Sequence, residues 1–352
     1  MARPLPSDLV LLALALSACQ PPPDAVSPDP SRPETGPIYV SDPTAKVALA
    51  GEPYTIIALP DTQFYASSYP RIFDAQTRWI VGERALKNLA LVVHEGDLVD
   101  SDDVGQWAAA AHSMHALDGV VPYLVSTGNH DYGVGGDGWT VTRSTLIDSY
   151  FPVSTFAQFP WFKGTFEAGH IENNYALIDV PGAASQWLVV SLEFGPRDAV
   201  LAWADTVVKQ YPSTPAMIVT HAYLYGDNTR YDHIARPEQK WNPHGYPIGT
   251  TTGAVNDGEE IWQKLILGNS NIRFVLCGHV LGGGTGRLTS TRPDGTTVNQ
   301  ILANYQMLPL GGGGFLRVIE FAPATHTVRV RTYSPYLDAF KSDPENDFAL
   351  GY

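Results

Sequence analysis

The sequence predicts an α/β fold in which strands alternate with helices. Apolar runs of strand length, rich in Val, Ile, Leu and aromatic residues, recur between residues 54 and 333, and segments with helical spacing separate several of them. Such alternation is typical of βαβ units built around parallel strands. Five of the apolar runs end directly in short polar motifs that contain Asp, Asn or His. Open α/β sheets bind ligands at the carboxyl ends of their strands, so these motifs predict a site at that edge.

Three segments between the apolar runs have the pattern of helices. The first, Phe73–Ala90, repeats its large apolar residues near helical spacing. The second follows Pro196, and proline is favoured in the first turn of a helix. The third, Asp257–Leu267, begins with acidic residues and carries Lys264 later, an order that the helix dipole favours. We predict a helix in each segment.

The C-terminal part of the chain has the pattern of an antiparallel strand pair. Phe315–Phe321 and Thr327–Tyr333 are both strand-like, and Ala322–His326 is short enough to join them. In the second strand Val alternates with Arg over residues 328–331, which indicates one face in contact with water.

Two long segments, Tyr132–Glu172 and Ala222–Asn256, have weak periodicity and many Gly, Pro, Tyr and Trp residues. Loops of this length in a compact domain are usually functional. We predict that they form the walls of a substrate pocket.

The composition is that of an acidic globular protein. Of 352 residues, 44% are hydrophobic and 16% are charged, and 36 acidic against 22 basic residues give a formal net charge of −14. This balance disfavours binding to the nucleic-acid backbone, which requires clustered Lys and Arg. It is compatible with a small phosphorylated substrate, because bound metal ions can supply the local positive charge.

The N-terminus has the pattern of a targeting signal followed by a tether. Leu9–Leu16 is an apolar core too short to span a bilayer, and it runs into the tetrapeptide Leu-Ser-Ala-Cys, which resembles a bacterial lipobox. We predict a lipoprotein signal peptide over residues 1–18, a lipid on Cys19 and a Pro-rich tether over residues 19–50. A plain secretory signal with an incidental Cys is the alternative.

With a lipid on Cys19 the protein would be exported and anchored in the bacterial cell envelope, at the outer membrane, in the periplasm or on the cell surface. That lipid would be its one membrane contact. Cys277, the other cysteine, would then have no disulfide partner, and we expect it to be a small buried apolar residue of its strand.

The polar motifs follow one another in a fixed order. They are Asp61-Thr62-Gln63, Gly96-Asp97-Leu98-Val99-Asp100, Gly128-Asn129-His130-Asp131, His221 and Gly278-His279. Taken alone, Asp97 could be a helix N-cap, Asn129 a turn residue and either single His a hydrogen-bonded core residue. Together, each after an apolar run, they favour metal-ligand and acid–base roles.

This set of motifs resembles that of the calcineurin-like metallophosphoesterases, the family that includes purple acid phosphatases and many phosphodiesterases. The family pattern reads D-x-H, G-D-x-x-D, G-N-H-[DE], a single His and then G-H-x-H, and the resemblance covers roughly residues 54–333. Two positions depart from it, since Gln63 and Leu281 stand where the family has His. The resemblance implies a four-layer α/β/β/α sandwich of two mixed β-sheets. We place this domain at residues 51–340, with a tail at 341–352.

The resemblance also implies two divalent or trivalent metal ions (Mn, Fe, Zn, Mg or Ca) that activate a hydroxide for attack on phosphorus. Asp97 would bridge the two ions. The residues that would complete the sites are Asp61 and Gln63 for the first ion, and Asn129, His221 and His279 for the second. Paired ions about 3.5–4 Å apart supply both a nucleophile at neutral pH and charge neutralisation.

The first site is depleted, because Leu281 offers no lone pair. Water could fill the missing position, another residue could replace the ligand, or the site could bind weakly or be empty. His244, His233 and Asn304 are the candidate replacements. Loss of imidazole ligands should shift the preference towards harder ions such as Mn, Mg or Ca.

His130 is the candidate catalytic group, since it adjoins the ligand Asn129. It would stabilise developing charge or protonate the leaving oxygen, with Asp131 or Asp100 to orient it. Asp100 could instead be only a structural cap.

These expectations describe a hydrolase acting on phosphoric mono- or diesters, and they leave a pyrophosphate substrate and the oligomeric state open. The alternative is a surface binding module of the same fold with one metal and weakened catalysis, which Gln63 and Leu281 favour and His130 disfavours. A Ser or Cys hydrolase has no support, because the chain has no G-x-S-x-G motif and Cys277 lies inside an apolar run.

Overall fold

Two mixed β-sheets of seven strands each form the centre of the structure, a computed structural model that describes residues 51–133 and 136–352. The predicted signal peptide, Cys19 and the whole of the predicted tether lie outside the described residues. Within the described ranges no helix is long and apolar enough to cross a bilayer.

The strands along the described chain are β1 (Tyr54–Leu59), β2 (Leu89–His94), β3 (Tyr123–Val125), β4 (Phe162–Thr165), β5 (Asn174–Asp179), β6 (Gln186–Ser191), β7 (Ala216–Val219), β8 (Ile272–Cys277), β9 (Thr285–Thr291), β10 (Thr297–Ala303), β11 (Leu316–Ala322), β12 (Thr327–Ser334), β13 (Ala339–Lys341) and β14 (Asp347–Gly351). The helices are α1 (Gln63–Ser68), α2 (Pro70–Glu83), α3 (Val104–Met114), α4 (Ile147–Tyr150), α5 (Val153–Phe156), α6 (Asp198–Gln210), α7 (Gly258–Ile261) and α8 (Pro309–Gly312).

Each sheet has a parallel part that the βαβ pattern predicts and an antiparallel part. The first sheet has the order β13-β12-β11-β1-β2-β3, and β14 pairs with β12; in it β1, β2 and β3 are parallel. The second has the order β4-β5-β6-β7-β8-β10-β9, and its strands β6, β7, β8 and β10 are parallel. The two parallel parts bring their carboxyl ends to one edge of the molecule.

Three buried cores hold four layers together. Helices α1 to α3 pack on the outer face of the first sheet, α6 and α7 pack on the outer face of the second, and the inner faces of the sheets pack against each other. Representative side chains are Phe73 and Trp107 in the first core, Val200 and Leu265 in the second, and Ile56, Trp187 and Phe274 between the sheets. The predicted α/β/β/α sandwich is confirmed.

The predicted helices are present, but their ends differ from the sequence pattern. The helix predicted over Phe73–Ala90 is α2, which ends at Glu83 because the later apolar residues have other places: Leu86 is exposed in a turn, and Leu89 begins β2. The segment predicted to begin at Asp257 is α7 followed by a π-helical turn, Trp262–Ile266. The helix after Pro196 is α6.

The C-terminal hairpin is confirmed and is extended by a further strand. β11 and β12 pair antiparallel, with Val328 and Val330 buried and Arg329 exposed. The tail placed at 341–352 is instead part of the sheet, since β14 pairs with β12 and buries Phe348 between the sheets. The apolar alternation in β14 is too short to be recognised as a strand from sequence.

Candidate metal centre

The five motifs meet at the shared edge of the two sheets. Asp61, Asp97 and His221 each offer a ligand atom, and these three atoms lie within 4.8 Å of one another. All three residues are buried. The His279 ring lies beside the His221 ring, with 4.8 Å between their centroids. The first sheet supplies the two acids and the second supplies the two histidines.

Unusual backbone conformations direct these side chains to one point. Asp61, Asp97 and His279 have φ values of 23°, 52° and 77°, a region that residues other than glycine rarely adopt. Strain of this kind is concentrated at functional sites. Gly128 is required beside Asp97, because a Cβ at that position would overlap the Asp97 carboxylate.

His221 directs its second ring nitrogen at two acids. Its Nδ1–H donates to the Glu95 carbonyl oxygen at 2.8 Å. Its Nε2 lies 3.2 Å from Asp97 Oδ2 and 3.9 Å from Asp61 Oδ1 but has no hydrogen-bond partner. When Nε2 carries no proton, its lone pair and those of the two acids repel one another in this buried site, and a cation between them removes the repulsion.

The side-chain amides of Asn129 and Gln63 also bond to the protein through one polar atom and leave the other without a partner. The Asn129 amide nitrogen donates to the Gly138 carbonyl oxygen at 2.9 Å, and the Gln63 amide nitrogen donates to Asp100 Oδ1 at 3.4 Å. The oxygens Asn129 Oδ1 and Gln63 Oε1 are buried and have no hydrogen-bond partner. Orphaned buried acceptors on predicted ligand residues are what a cation site requires. The residues present therefore fit metal ions.

His279 is held as a neutral ring. Its Nε2–H donates to the Trp241 carbonyl oxygen at 2.8 Å, which leaves Nδ1 as the nitrogen with a lone pair. Its backbone N–H donates to the Asp61 carboxylate. Burial, followed by the neighbouring His221, lowers the pKa of His279 to about 3. A neutral imidazole is the form that binds a metal ion.

The two buried acids of the centre differ in their ionisation. Burial raises the pKa of Asp61 well above its ordinary value, and the neighbouring Asp97 and Glu95 raise it further. Burial also disfavours the ionised form of Asp97, but the nearby His221 and His130 hold its pKa below the ordinary value.

His130 lies at the same edge and is oriented by Asp100. Its Nδ1 lies 2.7 Å from the Asp100 carbonyl oxygen and 3.6 Å from the Asp100 carboxylate. Its backbone N–H donates to Asp97 Oδ1 at 2.9 Å. The two oxygens of Asp131 accept from the backbone N–H groups of Val99 and Gly128, at 3.1 and 2.8 Å. Asp131 joins two motif loops.

The three residues that could replace the ligand missing at Leu281 are already hydrogen-bonded to other groups. The rings of His233 and His244 bond to Asp257 and Glu260, in a separate group. The Asn304 amide nitrogen donates to Asp61 Oδ1 at 3.1 Å, and the Asn304 oxygen accepts from the backbone of Gln306. Asn304 therefore positions Asp61 and offers its amide nitrogen, which cannot bind a cation.

Sequence reasoning missed three residues that support the centre. Glu95 is buried directly before Gly96-Asp97, and burial raises its pKa well above the ordinary value. His94 Nε2 lies 2.9 Å from the hydroxyl oxygen of Thr62, the residue between Asp61 and Gln63. Trp241 acts through its carbonyl, which any residue carries, so sequence gives no signal for it. Glu95 did give a signal, as an acid at the end of an apolar run.

Both long loops reach the centre. In the first loop Gly138 packs against the His130 ring, and the next residue, Trp139, is half exposed. In the second loop Trp241 bonds to His279, and the Tyr246 ring lies 5.2 Å from that of Trp139. That these loops wall a substrate pocket stays a prediction.

Comparison with known proteins identifies relatives of this chain. A sequence model of the calcineurin-like phosphoesterases matches residues 54–282. YvnB, an uncharacterized protein of Bacillus subtilis, is 33% identical over 299 residues, which make up 83% of this chain and 21% of YvnB. The chain thus spans about a fifth of the length of that relative.

Two solved structures show a limited similarity to this chain. GAP50, the anchor in the inner membrane complex of Plasmodium, matches with a TM-score of 0.43 at 9% identity over 84% of this chain and 89% of that one. The NAD nucleotidase NadN of Haemophilus influenzae matches with a TM-score of 0.41 at 12% identity over 83% of this chain and 54% of that one. Likenesses at this level carry no argument about activity.

Proposed function

We propose that this chain, which belongs to the calcineurin-like phosphoesterase family, hydrolyses small phosphoric mono- or diesters with a hydroxide activated by metal ions. The general chemistry of the family is metal-dependent hydrolysis of phosphoester bonds. The proposal for this chain adds the residues that perform it and the class of substrate.

One observation carries the proposal. Asn129 Oδ1, Gln63 Oε1 and His221 Nε2 are buried without hydrogen-bond partners, at the edge where Asp61 and Asp97 also lie. Leaving a buried polar group unsatisfied costs about 1–3 kcal/mol. Three such atoms on residues of the polar motifs are explained by ligands that await cations.

The residues divide the chemistry between them. Metal ions, when bound, would supply a nucleophilic hydroxide and neutralise the phosphoryl oxygens. Asp97 would hold both ions, Asp61 and Gln63 would complete the first site, and Asn129, His221 and His279 would complete the second. His130, protonated on both ring nitrogens, keeps Nδ1–H on the Asp100 carbonyl and donates its Nε2 proton to the leaving oxygen.

The experiment is hydrolysis of p-nitrophenyl phosphate and bis(p-nitrophenyl) phosphate by purified protein. We expect one or both esters to be hydrolysed, the activity to be lost on chelation, and Mn²⁺ to restore it. The ratio of the two rates assigns a monoesterase or a diesterase. Hydrolysis that survives complete removal of metal would contradict the proposal.

A binding module of the same fold with one metal ion is the second candidate. This candidate is favoured because Leu281 offers no lone pair and because His244, His233 and Asn304 are hydrogen-bonded to other groups. The first site then has only Asp61, Gln63 and Asp97 as ligands. Protein that binds one ion tightly and hydrolyses neither ester would establish this candidate in place of the first.

We further propose that the protein is exported and lipid-anchored through Cys19. The support is the lipobox-like tetrapeptide that ends at Cys19 and the Pro-rich stretch after it. Cys19→Ser should convert a detergent-soluble membrane protein into a soluble or unprocessed form. Wild-type protein that is processed and yet soluble without detergent would exclude lipidation.

A further inference from the structure

A second cluster of metal-ligating side chains lies outside the candidate metal centre. His233, His244, Asp257 and Glu260 each offer a ligand atom, and these four atoms lie within 4.8 Å of one another. The two histidines come from the long second loop, and the two acids come from the start of α7 and the residue before it. We name these four residues the loop cluster.

The loop cluster has the composition of a zinc site. Two imidazoles and two carboxylates are a common donor set for Zn²⁺, which prefers four ligands in a tetrahedron. With neutral imidazoles the four ligands carry two negative charges, and Lys264 Nζ lies 3.5 Å from the other Glu260 oxygen, Oε1. Asp257 is buried while the other three residues are half-buried, so an ion can enter from solvent.

The present hydrogen bonds hold the donors close to a binding geometry. His233 Nδ1 lies 2.9 Å from Asp257 Oδ2, and His244 Nε2 lies 2.6 Å from Glu260 Oε2. The two rings stack with 3.6 Å between centroids. Ligand atoms on one tetrahedral zinc ion are about 3.4 Å apart, given bonds of about 2.0–2.1 Å. Each bonded pair would therefore open by less than about 1 Å, and the other donor atoms, all within 4.8 Å of one another, would close by up to about 1.4 Å. The proton of each ring would move to the opposite nitrogen.

Further hydrogen bonds orient the carboxylates of Asp257 and Glu260. Asp257 Oδ2 also accepts from the His233 backbone N–H at 2.8 Å and from the Asn242 amide at 3.1 Å. Glu260 Oε2 accepts from the Asp257 backbone N–H at 3.1 Å, and Asp257 Oδ1 accepts from the Glu260 backbone N–H at 3.2 Å, so the two acids also form the capping box that begins α7. Supporting hydrogen bonds to ligating carboxylates are characteristic of metal sites.

The loop cluster is joined to the candidate metal centre by two residues. Asn242, which bonds to Asp257, follows Trp241, whose carbonyl accepts from His279 Nε2. Trp241 has a φ of 66°, a conformation that surrounding contacts must maintain. An ion in the loop cluster would fix this backbone and, through it, the orientation of His279.

We propose that the loop cluster is a structural site for one zinc-like transition-metal ion, separate from the candidate metal centre, and that it holds the second loop in place against His279. This site goes beyond the proposed function, because it binds no substrate and takes no part in the hydrolysis.

The test uses the full chain with its candidate metal centre disabled by Asp97→Asn and His221→Ala. After incubation with Zn²⁺ and exhaustive dialysis, we expect this double variant to retain one ion per chain. Adding His244→Ala should remove that ion, whereas adding His112→Ala should not. His112 is the matched control, an exposed histidine beside the acid Asp74.

Cobalt provides a measurement that needs no substitution in the loop cluster. The double variant loaded with Co²⁺ should show the intense visible absorption of a tetrahedral site, and Zn²⁺ should displace it. A double variant that retains no ion, that retains the same ion after His244→Ala, or that gives only the weak absorption of octahedral Co²⁺ overturns the proposal. Ester hydrolysis is not measured in any arm, so these outcomes are independent of the proposed activity.

Discussion

At the scale of single residues, the candidate amide and imidazole ligands share one arrangement. Each uses one polar atom to bond to the protein and leaves another facing the centre. Asn129 bonds to Gly138, His221 to the Glu95 carbonyl and His279 to the Trp241 carbonyl. Such bonds fix which atom of an amide or imidazole can serve as a ligand. The centre is therefore organised before an ion arrives.

His130 is predicted to affect rate and not metal binding. His130→Ala should lower turnover by roughly 10²–10⁴-fold, the range for loss of a general acid, and leave the metal content unchanged. The loss should be larger for an alkyl ester than for a p-nitrophenyl ester, because the poorer leaving group depends more on proton donation. Steady-state rates of the wild type and the variant on both esters measure these two losses of turnover. Equal losses on the two esters would show that His130 is not the proton donor.

Gln63 and Leu281 are predicted to limit the first site. The double substitution Gln63→His with Leu281→His should add a second tightly held ion after dialysis and shift the preference towards Zn or Fe. Leu281→Phe with Gln63→His is the control, because it supplies a ring of similar size without a lone pair. Wild-type protein that already retains two ions of a borderline metal is the contrary result.

The residues whose side chains act could be predicted from sequence, and those that act through the backbone could not. Asp97, Asn129 and His279 are recognisable by their motifs and order. The carbonyl groups of Glu95 and Trp241 are equally necessary, but a carbonyl carries no residue identity. The role of Asp131 was also uncertain in sequence, since an acid next to His130 can face either the ring or the backbone.

At the scale of elements, β14 is predicted to contribute to the stability of the whole sandwich. Phe348 on β14 is 9% exposed and packs between the sheets, whereas Phe340 on β13 is 53% exposed. Phe348→Ala should lower the free energy of unfolding by about 3 kcal/mol, a value typical of a buried Phe. Phe340→Ala should lower it by less than about 1 kcal/mol. Urea unfolding measures both, and equal effects would mean that β14 is peripheral.

Glu172, at the end of the first long loop, is predicted to lower the stability of the folded protein as the pH rises. Burial, followed by the neighbouring Asp148, raises the pKa of Glu172 to about 7. The unfolded chain ionises this group near pH 4.3, so stability is lost as the pH rises from about 4.3 to 7 and is constant above that. Glu172→Gln should therefore stabilise the protein by up to about 3 kcal/mol at pH 8 and by little near pH 4.5.

Urea unfolding of both proteins in metal-free buffer at the two pH values measures this effect. Glu238→Gln, a substitution of an exposed glutamate, is the control and should change little at either pH. A Glu172→Gln variant that gains the same stability at both pH values would show that the side chain is not held protonated in the folded state.

Element types were more predictable than element ends. The helical period of α2 is visible in the sequence, but Leu86 and Leu89 continue it by chance, one in an exposed turn and one in a strand. Apolar spacing alone cannot separate the end of a helix from the start of the next strand. The π-helical turn after α7 likewise leaves no mark in the spacing of apolar residues.

At the scale of the whole molecule, the centre belongs to neither sheet alone. Asp61, Asp97 and Asn129 follow strands of the first sheet, and His221 and His279 follow strands of the second. An ion bound by both sets joins the two halves of the sandwich. The four-layer fold could be predicted because the order of the motifs identifies the family; the strand order within each sheet could not be derived from periodicity.

The most direct test of the account is a metal titration in which bound ions and turnover are measured on the same sample. Chelated wild-type protein receives increasing Mn²⁺, and hydrolysis of bis(p-nitrophenyl) phosphate and p-nitrophenyl phosphate is followed beside Asp97→Asn and the surface control Asp205→Asn. We predict that turnover rises with the ions bound in the wild type and in Asp205→Asn, and that Asp97→Asn stays inactive at every concentration. Turnover in Asp97→Asn equal to that of the wild type would contradict the account.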